Sequence, residues 1–235
     1  DPYSALNPRW RAGKIVREAL DWLNVGTKTE RKNRVSELFG LVGLSVEQEQ
    51  LFPHQFSGGQ RQRIGVARAL STQPELIICD EPVSALDVAV QAQILNLLRE
   101  LQSKYELTYL FISHDLGVVQ HMCDHIAVMY MGKIVEYADR LSLFNSPLHP
   151  YTSALLSAIP SVDKKRRENT KRILIPGDPP DPINPPLGCR FANRCPVAQD
   201  ICFKEEPLLN QIKSGQKVAC HLVDKEAKSP LSNLD

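Results

Sequence analysis

Three short stretches of this 235-residue chain carry groups that could act on a charged oxygen. In Ser57-Gly58-Gly59-Gln60, a hydroxyl residue and two glycines open a helical pattern that runs to residue 71. The first N–H groups of a helix have no partner within it and lie at the positive end of its dipole, so this opening suits a phosphate. The same four residues also read as an ordinary N-cap followed by a flexible turn. Asp80 and Glu81 follow the apolar run Leu76-Ile77-Ile78-Cys79. In α/β sheets ligands bind beyond the carboxyl ends of the strands, which puts both acids at the rim of a site. One carboxylate there can hold Mg²⁺ through water, while its neighbour orients or deprotonates an attacking water. The competing reading is a pair of acids at a helix start before Pro82. His114 closes a second apolar run, Thr108 to Ser113, and reaches the same sheet edge, where it could touch a terminal phosphate. A fourth group, Cys189, Cys195, Cys202 and Cys220, crowds the last quarter of the chain.

The surrounding sequence supplies elements able to position these groups. Residues 9–50 read as helical, with Ile15, Ala19, Leu20 and Leu23, then Val35, Leu38, Phe39 and Val42, at helical spacing. Leu76 to Cys79 and Thr108 to Ser113 read as fully buried strands. Residues 88–104 form an amphipathic helix between them. Residues 115–123 read as helical, and Ile126 to Tyr130 and Lys133 to Tyr137 as two strands joined at Met131-Gly132 in a hairpin. The alternation of strand and helix predicts an α/β core with parallel strands. Pro150 to Ile159 is a short helix, Lys164 to Arg172 a basic linker, and from Pro176 a Pro-, Gly- and Cys-rich module begins.

Composition narrows the function classes. Apolar residues make up 43% and charged residues 23%, which excludes a disordered or collagen-like chain. Lys and Arg number 28 against 27 Asp and Glu, so the chain lacks the basic excess of a nucleic-acid binder, and the run from Lys164 reads as a solvated linker. The longest apolar stretches, such as Ile126 to Met131, are too short to span a bilayer. Cys79 and Cys123 sit in apolar surroundings as small buried hydrophobes. The four late cysteines are separated by five, six and seventeen residues. Three readings stand for them: a [4Fe–4S] cluster, a zinc site, or unliganded thiols.

Together the motifs resemble the nucleotide-binding subunit of an ABC transporter. Phe56-Ser57-Gly58-Gly59-Gln60-Arg61-Gln62-Arg63 is similar to the ABC signature, with Phe where many members have Leu. Leu76 to Glu81 is similar to the Walker B strand and catalytic glutamate, Ser84-Ala85-Leu86-Asp87 to the D-loop, and Ser113-His114-Asp115 to the switch-histidine segment. The resemblance implies a P-loop NTPase-type (RecA-like) parallel sheet core with a helical subdomain and a small Cys/Pro-rich extension. It also implies roles: Asp80 binds Mg²⁺ through water, Glu81 polarises the hydrolytic water, and His114 contacts the γ-phosphate. Ser57, Gly58, Gly59 and Gln60 clamp the ATP held by an opposite subunit, and Asp87 lines the interface between subunits.

Within that family, residues 1–9 and the segments His149-Pro150-Tyr151-Thr152 and Gly188-Cys189-Arg190-Phe191 are similar to bacterial dipeptide and oligopeptide importer ATPases, a group that also includes nickel importers. The implied organisation is a post-Q-loop segment (1–8), a helical subdomain (9–56), an ATPase core (57–145) and an importer-type extension (146–235). Implied partners are a second, different ABC ATPase subunit, two membrane-spanning permease subunits and, indirectly, a substrate-binding protein, with no nucleic acid. The implied location is peripheral, on the cytoplasmic face of the inner membrane. Some members of the group carry a [4Fe–4S] cluster in the extension, which favours the cluster reading of the cysteines. No G-x-x-x-x-G-K-[ST] loop occurs in the sequence, and Asp1-Pro2-Tyr3 reads as a loop in mid-course. The expectation is therefore a chain that starts just after the Q-loop glutamine and is inactive alone. Two further readings compete: a soluble ABC protein of translation or DNA repair, and a catalytically silent chain that pairs with a complete partner.

Overall fold

The computed structural model describes residues 5–159, 173–178, 181, 183–223 and 228–233. The first four residues and the basic run from Lys164 to Arg172 lie outside the described residues. The chain divides into two compact units, one ending at His114 and the other beginning at Asp115.

In the first unit, α1 (Ala12–Trp22) buries Ala12, Ile15, Val16 and Leu20, a stripe with the 3- and 4-residue steps of one helical face. The next helix, α2 (Lys28–Leu41), starts at a capping box: the Thr27 hydroxyl accepts the Glu30 N–H at 3.2 Å, and the Glu30 carboxylate accepts the Thr27 N–H at 2.7 Å. It ends before Gly43, whose φ of +74° favours a residue without Cβ. Two 3₁₀ turns, Val46–Gln50 and Pro53–Gln55, lead into α3 (Gly58–Leu70). The helix α1 packs against both α2 and α3.

The strands β1 (Leu76–Asp80) and β2 (Thr108–Ile112) pair in parallel, Leu76 opposite Thr108 and Asp80 opposite Ile112. Between them runs α4 (Val88–Tyr105), which closes a strand–helix–strand crossover. The Tyr109 hydroxyl donates to the Leu98 carbonyl at 2.9 Å, so α4 covers the face bearing Ile77, Cys79, Tyr109 and Phe111. The expectation of fully buried strands is corrected here. Leu76, Ile78, Leu110 and Ile112 are exposed, because their side chains alternate onto the other face and no described helix of this unit covers it.

The second unit opens with α5 (Leu116–Met122), followed by the antiparallel hairpin β3 (His125–Tyr130) and β4 (Lys133–Asp139). Both turn residues, Met131 (φ +49°) and Gly132 (φ +75°), are left-handed, as a tight hairpin turn that follows the strand twist requires. Short helices α6 (Arg140–Asn145), α7 (Pro150–Ser157) and α8 (Asp200–Lys204) precede β5 (Asn210–Lys213) and β6 (Gln216–Val218). The sheet order is β3-β4-β6-β5. The cysteine-rich tail is thus not a module apart, since β6 pairs with β4 at Glu136 and Tyr137. Its hairpin was missed because β6 is three residues long and carries little apolar alternation. Phe191 is the hub of the core, with the rings of Tyr130, Tyr151 and His149 at 5.3, 5.5 and 5.8 Å.

Candidate active site

The helix α3 begins as its sequence requires. The Ser57 hydroxyl accepts the Gln60 N–H at 3.3 Å, and the Gln60 side-chain oxygen accepts the Ser57 N–H at 3.0 Å. Ser57 and Gln60 are thereby engaged with each other, and the first-turn N–H groups of Gly58 and Gly59 remain for an outside acceptor. The ordinary N-cap and the anion seat are the same object. Gly59 has a second reason to lack a side chain: a Cβ there would stand 2.5 Å from Cγ1 of Val90 on α4. Arg61 ties the helix to the preceding turn, its Nε donating to the carbonyls of Pro53 at 2.8 Å and Phe56 at 3.2 Å.

At the carboxyl end of β1, the Glu81 N–H donates to the Ile112 carbonyl at 2.9 Å and extends the strand pairing by one residue. Glu81 itself adopts φ +45°, a region a residue with a side chain occupies at some cost. The Ser84 hydroxyl and N–H both donate to the Glu81 carbonyl, at 3.1 and 3.3 Å, and hold that turn. The structure brings Glu81 and His114 together: Nδ1 of His114 lies 2.9 Å from the Glu81 carboxylate. An ionised carboxylate only accepts, so Nδ1 carries the proton and Nε2 faces away from the pair. The hydrogen bond from His114 holds the Glu81 carboxyl below the usual carboxylate range, with its positive field and the Ser84 hydroxyl helping. The pair is open to solvent, His114 at 73% and Glu81 at 46% side-chain exposure. Asp80 is exposed at the end of β1, with no hydrogen-bond partner for its side chain among the described residues. Asp87 caps α4, its carboxylate accepting the Val90 N–H at 2.9 Å. Two residues of this region, Ser84 in its bonding to Glu81 and Gln91 on α4, escaped the reading from sequence. Ser84 was legible only as part of the D-loop-like segment and Gln91 carries no motif, and only the fold reveals what they touch.

The four late cysteines are free thiols and neighbours in the second unit. Gly188 lies against the Cys202 carbonyl so closely that a Cβ would collide with it, and the Cys189 N–H donates to that carbonyl at 2.7 Å. Burial raises the Cys189 thiol, and it raises Cys195 and Cys220 to about 11 each. The sulfurs lie within electrostatic range of one another, Cys189 and Cys202 acting on Cys195 and all three on Cys220. Backbone N–H groups of Phe191 and Ala192 donate to Cys189, that of Val197 to Cys195 and that of Leu222 to Cys220. Even so, no three His, Cys, Asp or Glu among the described residues are arranged to hold a metal ion. Cys189 and Cys195 pack on the cluster around Phe191, and Cys220 on that of Leu148, Val218 and Val223.

The "ABC transporter" family model matches residues 4–84, and the model "Oligopeptide/dipeptide transporter, C-terminal region" matches residues 135–202. The chain is 51% identical over 222 residues to the oligopeptide transport ATP-binding protein AppF of Bacillus subtilis, covering 94% of this chain and 68% of that protein. The chain belongs to the ATP-binding proteins of ABC transporters. A putative peptide import ATP-binding protein of Brucella ovis is 50% identical, with 94% of this chain and 69% of that protein covered. A solved ATP-binding cassette, a dimer in a post-hydrolysis state bound to ADP and Pi, matches with a TM-score of 0.51 and 29% identity, over 57% of this chain and 59% of that one. The fold of this ABC protein is accordingly the α/β P-loop NTPase type, and the nucleotide and metal of its family are ATP and Mg²⁺. No helix among its described residues is long and apolar enough to cross a membrane.

Proposed function

We propose that this ABC protein is the ATP-hydrolysing, energy-coupling subunit of an importer for di- or oligopeptides. The observation that carries the reading is the Glu81–His114 hydrogen bond of 2.9 Å at the carboxyl end of β1, with Asp80 exposed beside it. Asp80 holds Mg²⁺ through water, which suits an ion that keeps most of its waters and takes only one or two carboxylates. Glu81, kept ionised, accepts a proton from or orients the water that attacks the terminal phosphate. His114 fixes the Glu81 carboxylate through Nδ1, and its Nε2 reaches the γ-phosphate, as a donor when the ring takes a second proton. The Gly58 and Gly59 N–H groups, with Ser57 and Gln60 fixing the cap, meet the γ-phosphate of ATP held by an opposite subunit. Asp87 faces that subunit, and two ATPs between the two chains drive closure. The peptide assignment rests on the names of the relatives at 50–51% identity and on the match over residues 135–202.

The partners that fit this reading are a second ABC ATPase subunit, two membrane-spanning permease subunits contacted through the helices of residues 9–56, and a substrate-binding protein acting on the permeases. The location that follows is peripheral, at the cytoplasmic face of the inner membrane. The test uses the protein expressed from its own gene with its permease partners in vesicles. The wild type should hydrolyse ATP and take up oligopeptide. Glu81→Gln should bind ATP yet hydrolyse it about 10²–10⁴-fold more slowly, the range for removing a positioned general base. Wild-type turnover in that variant would remove Glu81 from the mechanism, and uptake of nickel instead of peptide would reassign the cargo.

For the four cysteines we propose a [4Fe–4S] cluster. The chemistry of the donor set supports it, four soft sulfur ligands within electrostatic range of one another in one unit, and binding would have to draw them closer together than they stand. Such a cluster supplies a cross-link between the loop at Cys189, the helix α8 and the strand end at Cys220. Protein purified without oxygen should be brown and contain about four irons per chain, and Cys195→Ser should lose both. Colourless protein with one zinc per chain, or with no metal, would overturn the cluster.

A further inference from the structure

From the same active-site reading, we infer that Gln91 is a positioning residue, a clamp that sets the loop between Glu81 and α4. Its side-chain Nε2 donates to two backbone carbonyls of that loop, Val83 at 3.1 Å and Leu86 at 3.0 Å. The amide has two N–H bonds, and each finds an acceptor. The Val83 carbonyl also accepts the Leu86 N–H at 3.2 Å, so both of its lone pairs are engaged. Upstream, Ser84 gives two hydrogen bonds to the Glu81 carbonyl, and Glu81 sits in the left-handed region. Downstream, Asp87 caps the helix that carries Gln91. The loop is therefore pinned at both ends and in the middle, and Gln91 supplies the middle from outside the loop.

Position 91 suits that task. It lies one turn into α4, beside Val90, whose methyl group occupies the space left by the missing side chain of Gly59. The first turn of α4 thus touches the signature helix through one residue and the loop after Glu81 through the next. Rotation of the loop would have to break both hydrogen bonds of the Gln91 side chain before it could move Glu81 or the segment Ser84 to Asp87. Gln91 touches neither nucleotide nor water in this account. It fixes the backbone from which Glu81 and Asp87 are presented.

The test compares Gln91→Met, of similar length without donors, Gln91→Glu, an acceptor facing two acceptors, and Gln91→Lys, a donor without acceptors. Two lost hydrogen bonds predict kcat for ATP reduced about tenfold or more in the first two, with KM for ATP unchanged, and recovery to within about threefold in Gln91→Lys. A Glu regains one O–H donor when protonated, so the kcat of Gln91→Glu relative to wild type should climb as pH falls below neutrality. A residue that served packing alone would show no such climb and no rescue by lysine. Hydrogen exchange at the Ser84 and Leu86 amides supplies a readout independent of turnover, and it should quicken in Gln91→Met. Unchanged exchange and unchanged kcat in a folded Gln91→Met would overturn the inference. If that variant does not fold, the pH profile of Gln91→Glu decides. Were the wild type itself to lack ATPase activity, the active-site reading would fall, and the exchange measurement would still judge the clamp.

Discussion

Two glutamates, one in each unit, show opposite uses of a carboxylate. Glu81 lies in the open, 46% exposed, bound through one oxygen to a histidine that is more exposed still. Glu136 on β4 is fully buried, and its oxygens accept the Leu148 N–H at 2.8 Å, the His149 N–H at 2.9 Å and the Gln216 side chain at 3.1 Å. Gln216 passes the connection on to the Ser146 carbonyl at 3.1 Å. A buried carboxylate is tolerated only when it is hydrogen-bonded, and both oxygens of Glu136 accept donors from the chain itself. It needs nothing from outside. Among the described residues, Glu81 keeps acceptor capacity free, Asp80 keeps all of its own, and the Gly58 and Gly59 N–H groups keep their donors. Groups left unsatisfied at a surface are groups reserved for a ligand, whereas groups satisfied in a core hold a fold.

The sharpest way to break this comparison is to delete each carboxylate and measure stability. Glu136→Ala strands two buried N–H donors and a buried amide, and should cost about 3 kcal/mol, hydrogen bonds to a charged group being the strong kind. Thermal unfolding should then fall by roughly 6–12 °C, with amide exchange rising in β4, β6 and α7. Glu81→Ala should leave the melting temperature where it was while abolishing ATP turnover. Equal melting shifts in the two variants would mean that Glu81 supports the fold, and the contrast would fail.

Next in size is a pH effect confined to the buried side. His149 is buried, and its Nδ1 accepts the Tyr151 N–H at 3.0 Å. Burial pushes its pKa down to about 4. The unfolded chain therefore binds a proton that the folded chain refuses between about pH 6.5 and 4, so this contribution is complete above 6.5 and fades as pH falls through that window. At pH 5.5 the loss should be about 1 kcal/mol. The groups that face His149 are the Glu136 carboxylate, which accepts its backbone N–H, and the apolar ring of Phe191. Asp21 in the first unit, held low by Arg17 and Arg31, keeps its contribution to a more acid pH, below its ordinary value near 4. Hydrogen exchange at pH 7 and 5.5 should thus loosen α7 before α1. His149→Asn, whose side-chain oxygen can still cap α7, should flatten the pH dependence. If it leaves the slope unchanged, another group titrates.

The same division explains what could be read without a structure. Open chemistry is written in short local motifs, so Asp80-Glu81 and His114 stood out after strand-like runs and Ser57 to Gln60 at a helix start, while Asp87 came through the resemblance to the ABC family alone. The parallel pair and the β3–β4 hairpin followed from apolar runs and from Met131-Gly132. The buried network did not stand out, because Glu136, His149 and Gln216 meet across as many as 80 positions of sequence and none of them looks unusual where it stands. Gln91 was hidden for a related reason: on a helix rich in Gln and Leu, only the loop folded back on it shows which glutamine matters. The four cysteines were conspicuous as a set, but spacing carries no information about whether four sulfurs converge. Burial of β1 and β2 was misjudged because a continuous apolar run reports what a strand can bury, while the cover comes from other elements.

The smallest effect separates the two meanings of one serine. Ser57 is both the cap of α3 and part of the opening offered to phosphate. Ser57→Ala should cost about 1 kcal/mol of stability by releasing the Gln60 N–H, the usual value of an N-cap. Ser57→Asp keeps an acceptor for that N–H, and the helix dipole favours its charge, so stability should stay within about half a kcal/mol of wild type. The same carboxylate places negative charge where a γ-phosphate from the opposite subunit must come. ATP-dependent pairing, followed by light scattering in the Glu81→Gln background, should persist in weakened form in Ser57→Ala and vanish in Ser57→Asp. If Ser57→Asp pairs normally, the N–H groups of Gly58 and Gly59 face something other than phosphate, and Ser57 is a cap alone.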